Sequence, residues 1–440
     1  MTRASGAAAS PGPKRLIALT GIGQLLTLAD GPSGARGGAA QGALGLRENA
    51  AVLIADDRIR WVGARDGLEA AVEATRDPEG AGDVMVEVHD CRGRAVLPGL
   101  VDSHTHLVWG GDRRDELELR LGGADYEAIF AAGGGILSSV RQTRALSEDD
   151  LHRAALARAL RMRACGTTTF EIKSGYGLDL ETELRQLRVA RRLATSDGLR
   201  VKTTCLAAHA LPAEHRGSAD GRARFLAEVC ETILPAVVAE GLADYCDVFC
   251  DRGAFTPEES RQVLGRARAL GLELRLHANE LGSTGGARLA AELGAASADH
   301  LLYLDDDERA ALRDAGVVAT LLPGTSLVLG KPYADGRALI EAGVPVAVAS
   351  DCNPGSCALE SLALVLALAC YGCRLSPAEA ICAATHNAAA SLGLAGEVGQ
   401  IAPGAAADLL ILATDDYRDL VYHAGSPLIA AVFQGGRRVA

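Results

Sequence analysis

At 440 residues, 48% of them apolar and 23% charged, the chain has a composition typical of a soluble globular protein with a large core. Its formal net charge of −12 argues against nucleic acid or an anionic membrane surface as a partner. No apolar run reaches the roughly 18 residues that a bilayer-spanning helix requires. We therefore predict no nucleic-acid partner and no membrane association.

The amino-terminal region combines loosely patterned segments with strand-like ones. Residues 1–15 and about 31–45 are rich in Gly and Ala, which predicts a loose tail and a long loop. The runs "RLIALTGIGQLLTL", "AAVLIADDRIRWVGA" and "VMVEVHDCRGRAVLPG" alternate roughly and break at turn residues, as in an antiparallel sheet or sandwich. The last 45 or so residues return to this pattern. We therefore predict a small β-sandwich domain built from both chain ends, residues 1–95 plus 395–440.

From about Leu97 the pattern changes to short apolar runs that alternate with amphipathic, helix-length segments such as "EDDLHRAALARALRMRACG". The eight strand candidates are "LPGLVDSHTH", "TTTFEIKSG", "VKTTCLAAHA", "ADYCDVFCD", "LRLHANE", "SADHLL", "VVATLLPG" and "VPVAVASDCN". Strands flanked by helices bury both faces, so they are expected to be apolar throughout. The series predicts the α/β class, with a (β/α)₈ TIM-like barrel over residues 96–394.

Polar side chains stand at the carboxyl end of nearly every predicted barrel strand, where barrel enzymes place their active sites. His104 and His106 end the first strand and lie on one side of it, because strand side chains alternate. The other strands contribute Lys173, Tyr176, His209, His277, Glu280, Asp299, His300 and Asp351. Two histidines separated by one residue, if considered alone, more often comprise one interior and one surface histidine. Charged groups are seldom buried unless they are paired or bound to metal, so this convergence indicates an active site.

The residue types in this set point to a metal ion. Three imidazoles and one carboxylate, His104, His106, His277 and Asp351, suit Zn²⁺ or Fe²⁺, and the set contains no cysteine of the kind found in structural zinc sites. An ion with an open position activates water near neutral pH. A binuclear site would need a bridging lysine on strand four, and "YCDVFCD" has none. We therefore expect one ion per subunit.

Three acid–base residues are predicted around this ion. Asp351 can accept the proton of the water. His300, one strand away, can hydrogen-bond the water or the developing oxyanion, although it can also be a satisfied core histidine. Glu280 follows a ligand by three residues and can transfer protons at a substrate ring nitrogen. A solvated charge at a helix start remains the alternative for Glu280.

The motifs "PGLVDSHTH", "HANE", "SDCNPG", "THNAAASLGL" and "GQIAPGAAADLLIL" resemble the amidohydrolase superfamily. Within it, "HTHLVWGGDR", "EIKSGYGLDL", "AAHALPAE", "HANELGSTGGA", "SADHLL" and "DCNPGS" are similar to the imidazolonepropionase family, and the similarity extends from about residue 22 to 440. The resemblance implies metal-dependent hydrolysis of a small molecule, 4-imidazolone-5-propanoate, to N-formimidoyl-L-glutamate in L-histidine degradation.

The resemblance also implies a set of substrate contacts: Arg113, Tyr176, His209, Glu280, Asn353, Gly355 and Ser356. A guanidinium such as that of Arg113 can grip the propionate through two parallel hydrogen bonds, although by itself Arg113 reads as one of several solvated charges. Two residues depart from the expected pattern. Asp251 stands where glutamate is expected, and Cys352 is an unusual neighbour for a metal ligand.

Two alternatives to this activity stay open. A purine or pyrimidine deaminase of the same superfamily would share the metal set and differ in the groups that bind the tail. A non-catalytic relative would be expected to lose ligands, whereas this chain keeps all four. Eleven scattered cysteines and a start without an apolar block indicate reduced thiols and a cytoplasmic location. Barrels of this kind are often dimers, so a homodimer is expected.

Overall fold

A computed structural model describes residues 15–76, 85–123 and 134–440. Within these ranges sixteen strands form two sheets. Five strands precede the barrel: β1 (Leu16–Leu26), β2 (Leu46–Ala55), β3 (Arg58–Ala64), β4 (Val86–Asp90) and β5 (Ala95–Pro98). Eight strands form the barrel: β6 (Leu100–Asp102), β7 (Thr167–Lys173), β8 (Arg200–Ala208), β9 (Tyr245–Cys250), β10 (Glu273–Ala278), β11 (Ser297–His300), β12 (Val318–Leu321) and β13 (Val346–Val348). Three strands follow: β14 (Leu409–Leu412), β15 (Ile429–Gln434) and β16 (Arg437–Arg438).

The sheet outside the barrel is built from both chain ends, as the sequence predicts. Its order is β16-β15-β14-β5-β1-β2-β3, and β4 pairs with β1 beside this path. The sheet is mixed where an antiparallel one was expected, because β4 and β5 both run parallel to β1. Its apolar side chains, such as Ile54, Leu409 and Phe433, form one buried cluster. The boundaries 1–95, 96–394 and 395–440 stay a prediction.

The barrel sheet contains eight parallel strands in chain order from β6 to β13, which confirms the predicted α/β barrel. The first and last strands meet beyond their ends, where Thr105 bridges to Cys352. The amide N–H of Asp351 donates to the carbonyl of His104 at 3.0 Å, and that of His106 donates to Cys352 at 3.0 Å. The closure therefore falls among the predicted metal ligands.

Helices alternate with the barrel strands and cover the outside of the barrel, and their buried apolar residues pack with the outward faces of the strands. The helices of the described residues are α1 (Leu68–Thr75), α2 (Arg114–Leu121), α3 (Ile136–Arg144), α4 (Glu148–Ala164), α5 (Leu180–Thr195), α6 (Gly221–Glu228), α7 (Leu234–Ala239), α8 (Pro257–Ala269), α9 (Gly286–Glu292), α10 (Asp306–Ala315), α11 (Pro323–Leu329), α12 (Gly336–Glu341), α13 (Leu362–Tyr371), α14 (Pro377–Ala383), α15 (His386–Ser391) and α16 (Asp419–Tyr422).

Several helices begin where their sequences predict. Thr256 and Glu259 form a capping box at the start of α8, in which each side chain accepts a backbone N–H of the other residue. The Ser376–Glu379 pair does the same for α14. Ser147 caps α4, whose predicted span agrees with the structure to within a turn. Local capping interactions thus determine where these helices begin, and packing against the barrel determines which of their faces are buried.

The inner face of the barrel differs from the apolar strands that were expected. Glu171 and Lys173 on β7, Asp247 on β9, Arg275 on β10 and Asp299 on β11 are all fully buried there. Alternation explains the difference: the residues between them face the helices and are apolar, so each strand reads as apolar overall while its inward positions carry charge. These charges are paired with one another, which is how charge is tolerated in a core.

The Gly/Ala-rich segment at 31–45 is an anchored loop with a one-turn 3₁₀ helix at Gly38–Gly42. Arg36 is buried, and its guanidinium donates to the carbonyls of Leu28 at 2.7 Å and Ala43 at 2.8 Å. Gln41 exchanges two 3.0 Å hydrogen bonds with the backbone of Val346 on β13. The predicted long loop is therefore attached to the barrel.

Among the described residues, no helix is both long and apolar enough to cross a bilayer.

Candidate active site

The predicted histidines converge at the carboxyl ends of the barrel strands. One ligand-type nitrogen from each of His104, His106 and His277 lies within 4.8 Å of the others, and all three residues are buried. His104 and His106 follow β6, and His277 lies near the end of β10. The ring centroids of His104 and His277 are 4.5 Å apart. The structure thus brings together three of the four predicted ligands as one cluster.

The fourth predicted ligand, Asp351, faces this cluster. Its Oδ1 lies 3.5 Å from Nε2 of His104 and 3.4 Å from Nε2 of His106. Its other oxygen accepts a hydrogen bond from the hydroxyl of Thr325. Burial opposes ionisation of Asp351, but His106 and His104 outweigh it and hold the pKa of the carboxyl below its ordinary value. Asp351 is therefore an anion at neutral pH.

The backbone at the site is strained at three of the strand ends. Asn279, His300 and Asp351 have φ angles of 53°, 77° and 51°, in the left-handed region that side chains disfavour. Each follows or ends a barrel strand, β10, β11 and β13 respectively. Strain of this kind persists where the surroundings hold it, and it is concentrated at functional sites.

Two buried carboxylates contact the Nδ1 atoms of the predicted metal ligands His104 and His277. Oδ2 of Asp299 lies 2.7 Å from Nδ1 of His104, and Oδ2 of Asp247 lies 3.0 Å from Nδ1 of His277. Asp247 also accepts the backbone N–H of His277 at 3.1 Å. A carboxylate on one ring nitrogen fixes the tautomer, so that the other nitrogen keeps its lone pair for a cation.

The electrostatics of His104 and His106 agree with this arrangement. Burial lowers the pKa of His104 and of His106, which favours the neutral imidazole that metals bind. Burial also acts to lower the pKa of His277, but the adjacent Asp247 anion outweighs it and raises that pKa. When a cation binds, His277 therefore has to release a proton that it holds more tightly than the other two histidines hold theirs.

These residues fit a divalent cation. Nε2 of His104 and Nε2 of His277 are buried and make no hydrogen bond within residues 15–76, 85–123 and 134–440. Buried polar atoms are nearly always satisfied in folded proteins. Neutral imidazoles with a carboxylate and no thiolate are the donor set of catalytic Zn²⁺ and Fe²⁺ sites. The unpaired nitrogens and the residue types of the cluster thus both indicate a site for a divalent cation.

Glu280 and His300, the other predicted acid–base residues, lie beside this cluster. Nε2 of His300 is 3.7 Å from Oε2 of Glu280, and the ring centroid of His300 is 5.3 Å from that of His277. Asp251, whose role the sequence left open, accepts the backbone N–H groups of Glu280 at 2.6 Å and Leu281 at 2.8 Å. Asp251 therefore holds the segment that carries Glu280.

Tyr176 and His209 form an aromatic wall next to the cluster. His209 stacks on His106 with ring centroids 5.2 Å apart, and Tyr176 lies 5.4 Å from His209. Nδ1 of His209 donates to the carbonyl of Gly175 at 3.0 Å, which leaves Nε2 as an acceptor. Burial lowers the pKa of His209 well below its ordinary value, and a neutral ring is consistent with this hydrogen bond.

The loop that carries Tyr176 is held by a buried carboxylate on α5. Glu183 accepts the backbone N–H groups of Gly175 at 3.1 Å, Gly177 at 2.9 Å and Leu178 at 2.8 Å. The N–H of Tyr176 itself donates to Gln186 at 3.1 Å. The position of the tyrosine is therefore determined by the start of this helix.

Arg113 is tied to both sides of the mouth of the barrel. Its Nε donates to Oε2 of Glu116 at 2.8 Å, and the same carboxylate accepts the backbone N–H of Gly135 at 3.0 Å. On the other side its guanidinium rests on Gly355, where an added Cβ would lie 1.8 Å from Nη1. One edge of the guanidinium is thus occupied by Glu116, and the Nη1 side faces the Gly355 loop.

Asn353, Gly355 and Ser356 form one loop after β13. The side-chain oxygen of Asn353 accepts the N–H groups of Gly355 and Ser356, both at 2.8 Å. Its amide nitrogen donates to the carbonyl of Asp351 at 2.7 Å. The backbone N–H groups of Gly355 and Ser356 are therefore engaged by Asn353, and the implied contact of this loop with the substrate stays a prediction that requires these bonds to exchange.

Several buried residues that support the site were not predicted from the sequence. Glu116, Glu171, Asp247, Arg275 and Thr325 were not singled out, although each is buried. A signal was present for four of them. Glu171 precedes Lys173 by two and Arg275 precedes His277 by two, so alternation places each pair on one face, and Asp247 is a charge inside an apolar strand. Glu116 follows Arg113 by one helical turn.

The comparisons with known proteins agree with the fold. The sequence profile of the amidohydrolase family matches residues 95–439. The imidazolonepropionase of Symbiobacterium thermophilum is 45% identical over 425 residues, covering 96% of this chain and 97% of that protein. That of Ralstonia nicotianae is 48% identical over 387 residues, covering 88% and 91%. The crystal structure of a triazine hydrolase variant is similar in fold, with a TM-score of 0.71 at 19% identity, and covers 96% of this chain and 94% of that one.

The barrel, the histidine cluster and the matched profile define a hydrolase of the amidohydrolase family, to which the chain belongs. The identities over nearly the full length place it, within that family, among the imidazolonepropionases.

Proposed function

We propose that the chain hydrolyses 4-imidazolone-5-propanoate to N-formimidoyl-L-glutamate, the ring-opening step of L-histidine degradation. Water adds to the ring carbonyl carbon, the adjacent cyclic amide C–N bond breaks, and the released nitrogen takes a proton. The chain supplies a place for the ring, a grip for the propionate tail and groups that move protons. The observation that carries the proposal is the convergence of His104, His106, His277 and Asp351 in one buried cluster.

We assign to this cluster one ion per subunit, Zn²⁺ or Fe²⁺, held by the three histidines and Asp351. Such an ion, when bound, supplies the Lewis acidity that makes water a nucleophile near neutral pH. The chain prepares the cluster for it by orienting His104 through Asp299 and His277 through Asp247. These contacts leave the unprotonated nitrogens facing the cluster.

Asp351 and Glu280 carry out the proton transfers in this proposal. Asp351 is anionic, lies against the cluster and accepts the proton of the attacking water. Glu280 delivers a proton to the ring nitrogen that leaves. His300, 3.7 Å from Glu280, hydrogen-bonds the oxygen on which negative charge develops. Their grouping at one side of the cluster favours attack and nitrogen release on the same substrate face.

The tail and the ring are bound by different parts of the mouth. Arg113 presents the part of its guanidinium that Glu116 leaves open, and it binds the propionate there. Tyr176 and His209 flank the planar ring, and Nε2 of His209 accepts a ring N–H. Asn353, Gly355 and Ser356 contact the carboxylate that ring opening creates. These assignments predict that the enzyme binds a substrate with a carboxylate tail more tightly than the same ring without one.

The test combines metal analysis with turnover. We expect about one metal ion per chain and chelator-sensitive loss of the imidazolone absorbance on addition of protein to freshly prepared 4-imidazolone-5-propanoate. Arg113→Ala should raise KM by a large factor, whereas Arg114→Ala, at the exposed neighbouring position, should not. Bound metal without turnover of this compound, together with release of ammonia from purines or pyrimidines, would favour a deaminase of the same family.

We also propose that the enzyme works in the cytoplasm as a homodimer. All eleven cysteines are free in the structure, and most are buried, which is consistent with a reducing compartment. Light scattering coupled to size-exclusion chromatography would measure the mass of the assembly directly, against 45.4 kDa for one chain.

A further inference from the structure

Lys173 is a fully buried cation beneath the histidine cluster, at the end of β7. Its Nζ lies 2.8 Å from Oδ2 of Asp247, 3.0 Å from Oε1 of Glu171 and 3.8 Å from Oδ2 of Asp299. Charge that is buried without water is held in place by its partners. The ammonium is therefore fixed at a point where three carboxylates from β7, β9 and β11 meet.

Each of these carboxylates holds a different part of the histidine cluster. Asp247 contacts Nδ1 of His277 at 3.0 Å, and Asp299 contacts Nδ1 of His104 at 2.7 Å. Glu171 accepts the backbone N–H of Thr105, the residue between His104 and His106, at 3.2 Å. The backbone N–H of Lys173 also donates to the carbonyl of Thr105 at 2.9 Å. His104 and His277 are thus each connected to one ammonium through one carboxylate, and the backbone between His104 and His106 is connected to it through Glu171.

Arg275, another buried cation on the inner face of the barrel, does not contact all three carboxylates. Arg275 donates to the backbone carbonyls of Ser103 at 2.8 Å and Ser391 at 3.1 Å, and of the three carboxylates it pairs with Asp299, at 3.6 Å. Within the described part of the chain, Lys173 is the cation that lies within 4.0 Å of all three. The proposed acid–base steps do not use it.

We propose that Lys173 is a positioning residue of the metal centre, which sets the geometry of the ligands His104 and His277 by fixing the carboxylates that orient them. The proposal rests on the metal site assigned under the proposed function. Groups that orient metal ligands from behind typically change metal affinity by about 10- to 100-fold when they are altered.

The direction of the effect separates positioning from simple charge. A cation near a divalent ion repels it, so removing a purely electrostatic lysine would tighten metal binding. Removing a lysine that holds the carboxylates would weaken metal binding, because His104 and His277 would lose their fixed orientation. The two roles therefore predict opposite signs for one measurement.

The experiment compares Lys173→Met with Lys202→Met. Lys202 stands on the neighbouring strand β8, opposite Glu171 in the sheet register, and its ammonium lies 3.4 Å from Asp244, where both side chains are partly exposed. Because Lys173→Met can misfold through its unpaired carboxylates, Glu171→Gln/Lys173→Met is measured alongside it. This double variant keeps the net charge of the layer and an acceptor for the N–H of Thr105.

Three readouts are taken on metal-free and reloaded protein. The first is the dissociation constant for Zn²⁺ by chelator competition, the second is the visible absorption spectrum of the Co²⁺-loaded protein, and the third is the increase in Tm that Zn²⁺ produces. We expect a Zn²⁺ dissociation constant at least tenfold higher in both Lys173 variants, an altered Co²⁺ spectrum and a smaller Zn²⁺-dependent increase in Tm. Lys202→Met should match the wild type in all three.

The outcomes separate this proposal from the proposed function. If wild-type protein binds no Zn²⁺, the assigned metal site itself is wrong. If wild-type protein binds Zn²⁺ and the folded Lys173 variants bind it as tightly or more tightly with an unchanged Co²⁺ spectrum, the metal site stands and the positioning role is overturned. A lower Tm of the metal-free variants with unchanged Zn²⁺ affinity would likewise show that Lys173 serves stability alone.

Discussion

Arg113 and Glu116 form an ion pair at the first turn of α2. This pair orients the guanidinium of Arg113 at the mouth of the barrel. Glu116 is buried, binds Nε of Arg113 and also accepts the N–H of Gly135. It therefore links Arg113, for which we propose binding of the substrate tail, to the segment that contains Gly135. Single residues of this kind determine affinity without touching the reacting atoms.

Replacing Glu116 by glutamine should raise KM while leaving kcat nearly unchanged. The amide keeps the shape of the side chain but loses the charge that orients Arg113, and ground-state and transition-state binding of the tail weaken together. We expect an increase of about tenfold in KM, the equivalent of about 1.4 kcal/mol. Steady-state kinetics of Glu116→Gln and of Glu118→Gln, an exposed position on the same helix, would test this. An equal rise in both variants would contradict the positioning role.

A methyl group at Gly355 should act on the same guanidinium from the other side. The Cβ of alanine would lie 1.8 Å from Nη1 of Arg113, so the arginine must move. We expect Gly355→Ala to fold normally and to bind carboxylated substrate at least about tenfold more weakly. Gly265→Ala, where an added Cβ meets nothing within 4 Å, is the matched control. Wild-type KM in Gly355→Ala would show that Arg113 does not bind the tail.

At the scale of elements, three strand ends of the barrel are followed by a segment whose backbone is fixed by one side chain. Glu183 on α5 fixes the loop after β7, Asp251 fixes the segment after β10, and Asn353 fixes the loop after β13. Each is a side-chain acceptor for backbone N–H groups that would otherwise be unpaired. The loops of the site are thus held by hydrogen bonds in addition to apolar packing, in which Tyr176 and Leu178 take part.

Helix α14 offers a pH test at this scale, because Glu379 both completes its capping box and pairs with Arg337 of α12 at 3.1 Å. Burial opposes ionisation, but Arg337 and the N–H of Ser376 outweigh it and lower the pKa of Glu379. A lowered pKa gives stability that is present above the unfolded-state value, about 4.5, and is lost as the pH falls through the folded-state value.

Glu379→Gln should therefore be less stable than wild type at pH 7, by about 1 kcal/mol, and the difference should disappear as the pH falls through the lowered folded-state pKa of Glu379. Urea unfolding of both proteins across this range would measure it. Glu341→Gln, at an exposed position of α12, should differ little from wild type at any pH. A difference for Glu379→Gln that grows as the pH falls would contradict the assignment.

The sequence predicts the ends of strands better than their interiors. His104, His106, His277 and Asp351 could be found because a polar residue after an apolar run is visible in one dimension. Asp247, Glu171 and Arg275 were missed because each is flanked by apolar residues that face the helices, and only the alternation of a known strand shows that they share an interior. The bond from Glu183 to the loop of Tyr176 could not be predicted, because it depends on how a helix packs against a barrel.

At the scale of the whole molecule, the barrel and the sheet outside it, the small sheet of the two chain ends, are joined at β5. This strand leads directly into β6 through Gly99. β5 pairs with β1 on one side and with β14 on the other. The buried cluster of the small sheet includes Leu409, Ile411 and Phe433 from the carboxyl-terminal strands. The two ends of the chain therefore complete one core that neither end can form by itself.

A chain that ends after Ala405 should lose this core. It would lack β14–β16 and would expose an edge of β5 together with the apolar side chains beneath it. We expect the truncated protein to be insoluble or to melt at a markedly lower temperature, and co-expression of residues 406–440 as a separate peptide to restore part of the soluble yield. A soluble truncated protein with the wild-type Tm would show that the small sheet does not depend on these strands.

Pairing of β5 with β14 also orders events during synthesis on the ribosome. More than 300 residues separate the end of β5 from the start of β14. At about 5 to 20 residues per second, their translation takes roughly a quarter of a minute to a minute. All eight barrel strands leave the ribosome before β14 does, so the nascent chain carries the unpaired edge of β5 for that interval. Chaperones that bind exposed strand edges therefore meet this chain at one defined place and at one defined time.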